Sequence, residues 1–249
     1  MATVGFTTLS PRPPIRNPRQ SRLISSCHAR RSSPSPVQTL AEIERSGVIA
    51  CLRADSGDVA LEAAHAALRA GISVLEVVMS TPGVFEVIRK LIHDHPTSII
   101  GAGTILNAKD ARKVAQAGAQ FFMSPATIKV LSACNAGARI VKVYPVSSLG
   151  GAKYISALKK PFSHIPMVAS QGITIDSIGT YIDGGASAVV LSDAIFDKQA
   201  MRQMNFDVIF KLAAMAAVQG RKAAERSALG EEIATLDKNL TDYWPAHGS

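Results

Sequence analysis

Two charged residues interrupt segments that otherwise read as apolar strands. Lys142 sits in Arg139-Ile140-Val141-Lys142-Val143-Tyr144-Pro145, and Glu76 sits in Val74-Leu75-Glu76-Val77-Val78. β-Branched and aromatic residues closed by a proline mark the first as a short strand. Successive strand side chains point to opposite faces, so Ile140, Lys142 and Tyr144 share one face, and Glu76 shares its face with Val74 and Val78. Both faces are mostly apolar, the pattern of a parallel strand covered on both sides. A charge there is costly unless it is paired, neutral or used. Lys142 therefore snorkels from the strand end, forms a structural ion pair with Glu76, or is an amine of lowered pKa that attacks a carbonyl to form a Schiff base. In the last case Glu76 is its acid–base partner.

The elements that must position this pair repeat one unit from Thr39 onward: an apolar strand, a turn and an Ala-rich helix. The strands read are Val48–Arg53, Ile72–Met79, Ser98–Gly101, Gln120–Ser124, Arg139–Tyr144, Pro166–Ala169 and Ser187–Leu191. Asp58–Arg69 is one intervening helix and Phe206–Gln219 a closing one. Gly71, Gly118, Gly137 and Gly185 each end a helix and lead into a strand, where a left-handed residue is needed. The steps from Gly71 to Gly118 and from Gly137 to Gly185 are 47 and 48 residues, two units each; Gly118 to Gly137 is only 19, one short unit. The expected fold class is α/β, a TIM-type (β/α) barrel with seven strands readable where eight are expected. An open doubly wound sheet competes, but no Gly-rich dinucleotide fingerprint follows the first strand.

In such a barrel the site lies at the C-terminal strand ends. The polar residues there are Arg53, Glu76, Gly101-Ala102-Gly103-Thr104, Ser124-Pro125, Tyr144-Pro145, Ser170-Gln171-Gly172 and Ser192-Asp193. Glycine-containing turns after the last strands offer backbone N–H groups to an anion.

The net charge of +8 suggests nucleic acid until it is located. Residues 1–41 hold six arginines (Arg12, Arg16, Arg19, Arg22, Arg30, Arg31), no lysine and no acid. Setting those six aside leaves 21 basic and 19 acidic residues, a net charge of +2. The leader also carries seven serines and six prolines. This composition predicts a disordered organelle transit peptide over residues 1–38, for the plastid stroma before the mitochondrion, in preference to a basic arm for nucleic acid. The barrel is expected over 39–220 and a peripheral helix and tail over 221–249. No run reaches the roughly 18–20 apolar residues of a membrane span. Cys27, Cys51 and Cys134 show no metal-ligand spacing, and neither metal nor organic cofactor is expected.

Val74-Leu75-Glu76-Val77, Gly101-Ala102-Gly103-Thr104-Ile105-Leu106-Asn107, Ala117-Gly118-Ala119-Gln120-Phe121 with Ser124-Pro125, and Val141-Lys142-Val143-Tyr144-Pro145 follow one another in an order that resembles the KDPG/KHG aldolases. The resemblance runs from about Gly47 to Ile195. It implies a class I 2-keto-acid aldolase on a (β/α)₈ barrel, usually trimeric, with Lys142 as Schiff-base lysine and Glu76 as general acid/base. Thr104, Pro125 and Tyr144 would then line the substrate pocket, together with Arg53, Ser170, Gln171, Gly172 and Ser192. The implied substrate is a small 2-keto acid.

The chain departs from the family in three places. Ser80 stands where an arginine is common, leaving Arg53 to supply the charge. Ser170-Gln171-Gly172-Ile173 replaces Thr-Gly-Gly-Ile, so unphosphorylated 4-hydroxy-2-oxoglutarate is as plausible a substrate as KDPG. One βα unit is missing, with two half-helices fused near Val130. That loss predicts either a seven-stranded barrel or a gap with unpaired edges, and a displaced Lys142. Impaired turnover, or a non-catalytic barrel that binds a partner or joins other subunits, is the corresponding expectation. A phosphate-binding isomerase or synthase on the same fold is disfavoured by the Lys–Glu pair.

Overall fold

The computed structural model describes residues 2–6, 34–124 and 137–243. In chain order the main elements are β1 (Ala2–Phe6), α1 (Pro36–Ser46), β2 (Val48–Leu52), α2 (Gly57–Arg69), β3 (Val74–Val78), α3 (Val84–Asp94), β4 (Ile99–Gly103), α4 (Ala108–Gln116), β5 (Phe122–Ser124), β6 (Val141–Tyr144), α5 (Ala152–Lys159), β7 (Met167–Ser170), α6 (Ile178–Asp183), β8 (Ala188–Leu191), α7 (Lys198–Arg202) and α8 (Phe206–Tyr243). The seven strands expected from the sequence all form, and each pairs in parallel with its neighbours in the order β5-β4-β3-β2-β8-β7-β6. The helix-ending Gly71, Gly118, Gly137 and Gly185 all take positive φ.

The remaining place in the ring is filled from an unexpected source. β1 lies between β5 and β6, antiparallel to both, and closes the barrel. Its Gly5 stands opposite Ser124 of β5 and Val141 of β6, and its Val4 stands opposite Lys142. With one parallel unit lost, β5 and β6 each present a row of backbone donors and acceptors that a strand must satisfy. The expected disorder of residues 1–38 is thus corrected at two places: Ala2–Phe6 is a strand, and α1 already begins at Pro36. The helix fusion expected near Val130 lies outside the described residues.

Side-chain alternation sorts the barrel into an inside and an outside. Inside, Ile49, Val74, Ile99, Phe121, Ile140, Val168 and Ala188 pack together. The amphipathic α1 plugs this end, adding Ile43 and Leu40. A reciprocal cap, Ser35 with Gln38, starts α1, and Gly47 at φ 67° ends it. Outside, Val48, Ala50, Leu52, Leu75 and Val77 meet the alanines of α2, whose small side chains let helix and sheet approach closely.

α8 runs for 38 residues, from Phe206 through residue 221 to Tyr243. Its first half buries Ile209, Ala213, Ala216 and Ala217, while Leu229, Ile233 and Leu236 farther along are exposed. Gly220 marks where α8 crosses the α1–β2 junction: a Cβ there would lie 2.6 Å from both the Ser46 carbonyl oxygen and Val48 Cγ2. Gly220→Ala should therefore destabilise by about 1–3 kcal/mol through overpacking, lowering Tm by roughly 2–10 °C for a chain of this size. Gly230, in the same helix with open space around it, should respond oppositely, with Gly230→Ala gaining up to about 1 kcal/mol from helix propensity. Thermal melts of the two variants check this.

Candidate active site

Lys142 projects from β6 and Glu76 from β3 into the same interior, as alternation requires, and Lys142 Nζ lies 3.5 Å from Glu76 Oε2. Their side chains are 12% and 3% exposed, so the lysine does not snorkel out to bulk water. The only other polar contact of the ammonium among the described residues is Met123 Sδ, 3.2 Å away on β5. A lysine has three N–H donors. Among the described residues the contacts of Lys142 are one long carboxylate oxygen and one weak thioether acceptor.

The glycines of β4 make room for this arrangement. A Cβ on Gly103 would overlap the Glu76 carboxylate, and one on Gly101 would overlap the Phe121 ring. The strand then turns at Thr104, a β-branched residue held at φ 62°. Ser124 stabilises that turn by donating its hydroxyl to the Ile105 carbonyl at 2.7 Å, and Asn107 caps α4 by accepting the Asp110 N–H at 2.9 Å. Gly-Ala-Gly-Thr-Ile-Leu-Asn is thus a local instruction for strand, turn and helix cap around the carboxylate.

Above the pair opens a cavity of about 1310 Å³. Of the residues expected at the site, Arg53, Glu76, Thr104, Lys142, Tyr144, Ser170, Gln171, Gly172 and Ser192 line it; Pro125 lies outside the described residues. Gln171 stands where phosphate-binding members of the family have a glycine, the replacement that weakened the case for a phosphorylated substrate. It takes φ 79°, the left-handed backbone a glycine would provide, and the loop turns into Gly172 at φ 71°. A Cβ on Gly172 would lie 2.5 Å from Ser147 Cβ, so that glycine is required by the packing of the two loops.

Several lining residues were missed. Cys51 lies directly opposite Glu76 in the β2–β3 register, and alternation from Arg53 along the same strand was enough to find it. Lys198, Met201 and Arg202 of α7 also line the cavity, although nothing in their spacing signals it. Lys198 forms an exposed ion pair with Asp193 at 3.0 Å, of small energetic weight. Among the described residues no three His, Cys, Asp or Glu side chains gather as a metal-ligand set, and no helix is long and apolar enough to cross a membrane.

Burial pushes the Cys51 thiol well above its ordinary pKa, and the Glu76 carboxylate adds to the rise. The neutral thiol is the stable form in the folded chain, so Cys51 should resist iodoacetamide at pH 8 and react once the protein is unfolded. Glu76→Gln removes one cause of the shift and should speed alkylation of the folded chain. Mapping of the Cys51 peptide checks both.

The sequence profile of the family described as KDPG and KHG aldolase matches this chain in two stretches, residues 40–136 and 126–212. The KHG/KDPG aldolase of Escherichia coli (strain K12) is 29% identical over 185 residues, covering 66% of this chain and 86% of that protein. The 2-dehydro-3-deoxy-phosphogluconate aldolase of Pseudoalteromonas atlantica is 31% identical over 164 residues, covering 55% of this chain and 76% of that protein. In fold, the chain is similar to the KDPG aldolase of Legionella pneumophila, solved with pyruvate captured as a covalent carbinolamine. The TM-score is 0.65 at 24% identity, over 72% of this chain and 98% of that one. The profile covers most of the chain, including the strands that carry Glu76 and Lys142, and the chain belongs to the KDPG and KHG aldolase family.

Proposed function

We propose that this protein is a Schiff-base aldolase that cleaves a 2-keto-3-deoxy or 4-hydroxy-2-oxo acid, KDPG or 4-hydroxy-2-oxoglutarate, to pyruvate and an aldehyde. The observation that carries the reading is the Lys142 amine 3.5 Å from Glu76, at the base of the cavity and without further partners among the described residues than Met123. The carbinolamine of pyruvate in the Legionella pneumophila enzyme is the same kind of chemistry.

In the proposed reaction the Lys142 amine, in its neutral form, adds to the C2 ketone. Loss of water gives an iminium that draws electrons from the substrate chain. Glu76, through the water released from the carbinolamine, takes the C4 hydroxyl proton. The C3–C4 electron pair moves into the iminium, releasing the aldehyde and leaving a pyruvate enamine. Protonation at C3 and hydrolysis of the iminium return pyruvate and the free lysine. Arg53, at the cavity rim, supplies a positive charge for the substrate carboxylate, and the left-handed Gln171-Gly172 turn offers backbone N–H groups to its far end. Since the shortened chain holds Lys142 and Glu76 at 3.5 Å, turnover is favoured over a non-catalytic role.

A homotrimer and delivery to the plastid stroma belong to the same proposal. The first rests on the family resemblance and predicts a particle of three times the 26.3 kDa chain mass. The second rests on the arginine-rich, acid-free composition of residues 1–41 and is checked by imaging a fluorescent fusion of residues 1–38.

Borohydride reduction in the presence of pyruvate should leave a stable adduct on Lys142, located by peptide mass mapping. Lys142→Met should abolish adduct and turnover. Glu76→Gln should keep the adduct while lowering kcat by about 10²–10⁴. An absent adduct on folded protein would overturn the Schiff-base reading and return the isomerase alternative. Comparing kcat/KM for KDPG and 4-hydroxy-2-oxoglutarate then decides the substrate.

A further inference from the structure

Lys142 stands on a strand with two neighbours, and they come from opposite ends of the chain. On one side β7 pairs Lys142 with Val168; on the other, β1 pairs it with Val4. β1 is also what joins β6 to β5, the strand whose Met123 sulfur touches the Lys142 ammonium. Without it, β5 and β6 would face each other across an empty strand position, about 9–10 Å apart, twice the usual interstrand spacing and too far to hydrogen-bond directly. Among the described residues the sheet order between β5, which ends at Ser124, and β6, which begins at Val141, runs through β1.

We propose that Ala2–Phe6 is a working strand of the barrel that replaces the missing βα unit and positions Lys142, so that loss of the first six residues opens the barrel beside the lysine. The pairing is through backbone, which explains how a segment unrelated to the lost strand, and running in the opposite direction, takes its place: the edges of β5 and β6 require a row of donors and acceptors rather than a particular side chain.

The positioning role rests on the assignment of Lys142 as the Schiff-base lysine, whereas the strand itself is read by a measurement independent of catalysis. Hydrogen exchange followed by mass spectrometry on the full chain should show the amides of residues 3–6 protected together with those of Val141–Tyr144. Exchange of residues 3–6 at the rate of an unstructured peptide would overturn the proposal whatever the activity. The double substitution Thr3→Pro/Val4→Pro removes two backbone donors from β1, at the positions that stand opposite Val143 and Lys142 of β6. It should speed exchange in Val141–Tyr144 and Phe122–Ser124 at least tenfold. It should also slow borohydride trapping at Lys142 about tenfold or more, with an altered pH profile of trapping. Thr3→Val/Val4→Ile, which keeps every donor, should restore both. Unchanged exchange and trapping in the proline variant would sink the idea. A protected strand in a wild-type chain that gives no pyruvate adduct would instead reject the Schiff-base function and leave the strand intact.

Discussion

A closed barrel has no free edge, and that requirement governs this molecule. Seven parallel strands come from the body of the chain, and a ring of this kind is left with two unsatisfied edges where the repeat is short. Backbone N–H and C=O groups at an open edge must find partners in another strand, in water or in another chain. The antiparallel Ala2–Phe6 supplies them from within the same chain, and β5 and β6 are held at the distance that a barrel interior needs. Met123 and Lys142, whose side chains meet inside the ring, stand on the two strands that β1 separates.

Inside the ring, the chemistry is set by what the strand interiors omit as much as by what they carry. β4 offers glycine twice, at 101 and 103, where any side chain would collide with Phe121 or with the Glu76 carboxylate. The charge pair is consequently deep, at the base of the cavity, with an apolar layer below it and α1 packed against that layer. Removing either charge leaves its partner buried and uncompensated, which is why such pairs are costly to keep without a use. Cys51 illustrates the local polarity: directly opposite the Glu76 carboxylate and partly buried, its thiol is held neutral.

The other end of the site is built from loops whose backbone matters more than their side chains. Thr104 and Gln171 both adopt left-handed φ at the cavity rim, positions where glycine would fit without strain. Such residues persist only when their surroundings over-determine them. For Thr104 the Ser124 hydroxyl on the adjoining carbonyl is part of that support, and for Gln171 the following Gly172 lies against Ser147.

Read along the chain, the alternation of Ile140, Lys142 and Tyr144, and of Val74, Glu76 and Val78, was sufficient to aim both charges into one interior, because strand periodicity is local and the barrel merely closes it. The seven strands and the left-handed helix-ending glycines were legible for the same reason: each depends on a few neighbouring residues. The repeat spacing also exposed the lost unit between Gly118 and Gly137. What closes the gap was not legible. Ala-Thr-Val-Gly-Phe is too short and too mildly patterned to stand out beside an arginine-rich, proline-rich stretch, and its strand state depends on two edges contributed by residues more than a hundred positions away. The same holds for α7 at the cavity mouth and for the unbroken run of α8 past residue 220. Sequence alone determined which groups face inward; only the tertiary structure decided which strand stands beside Lys142, because edge pairing is a long-range backbone contact that no local pattern encodes.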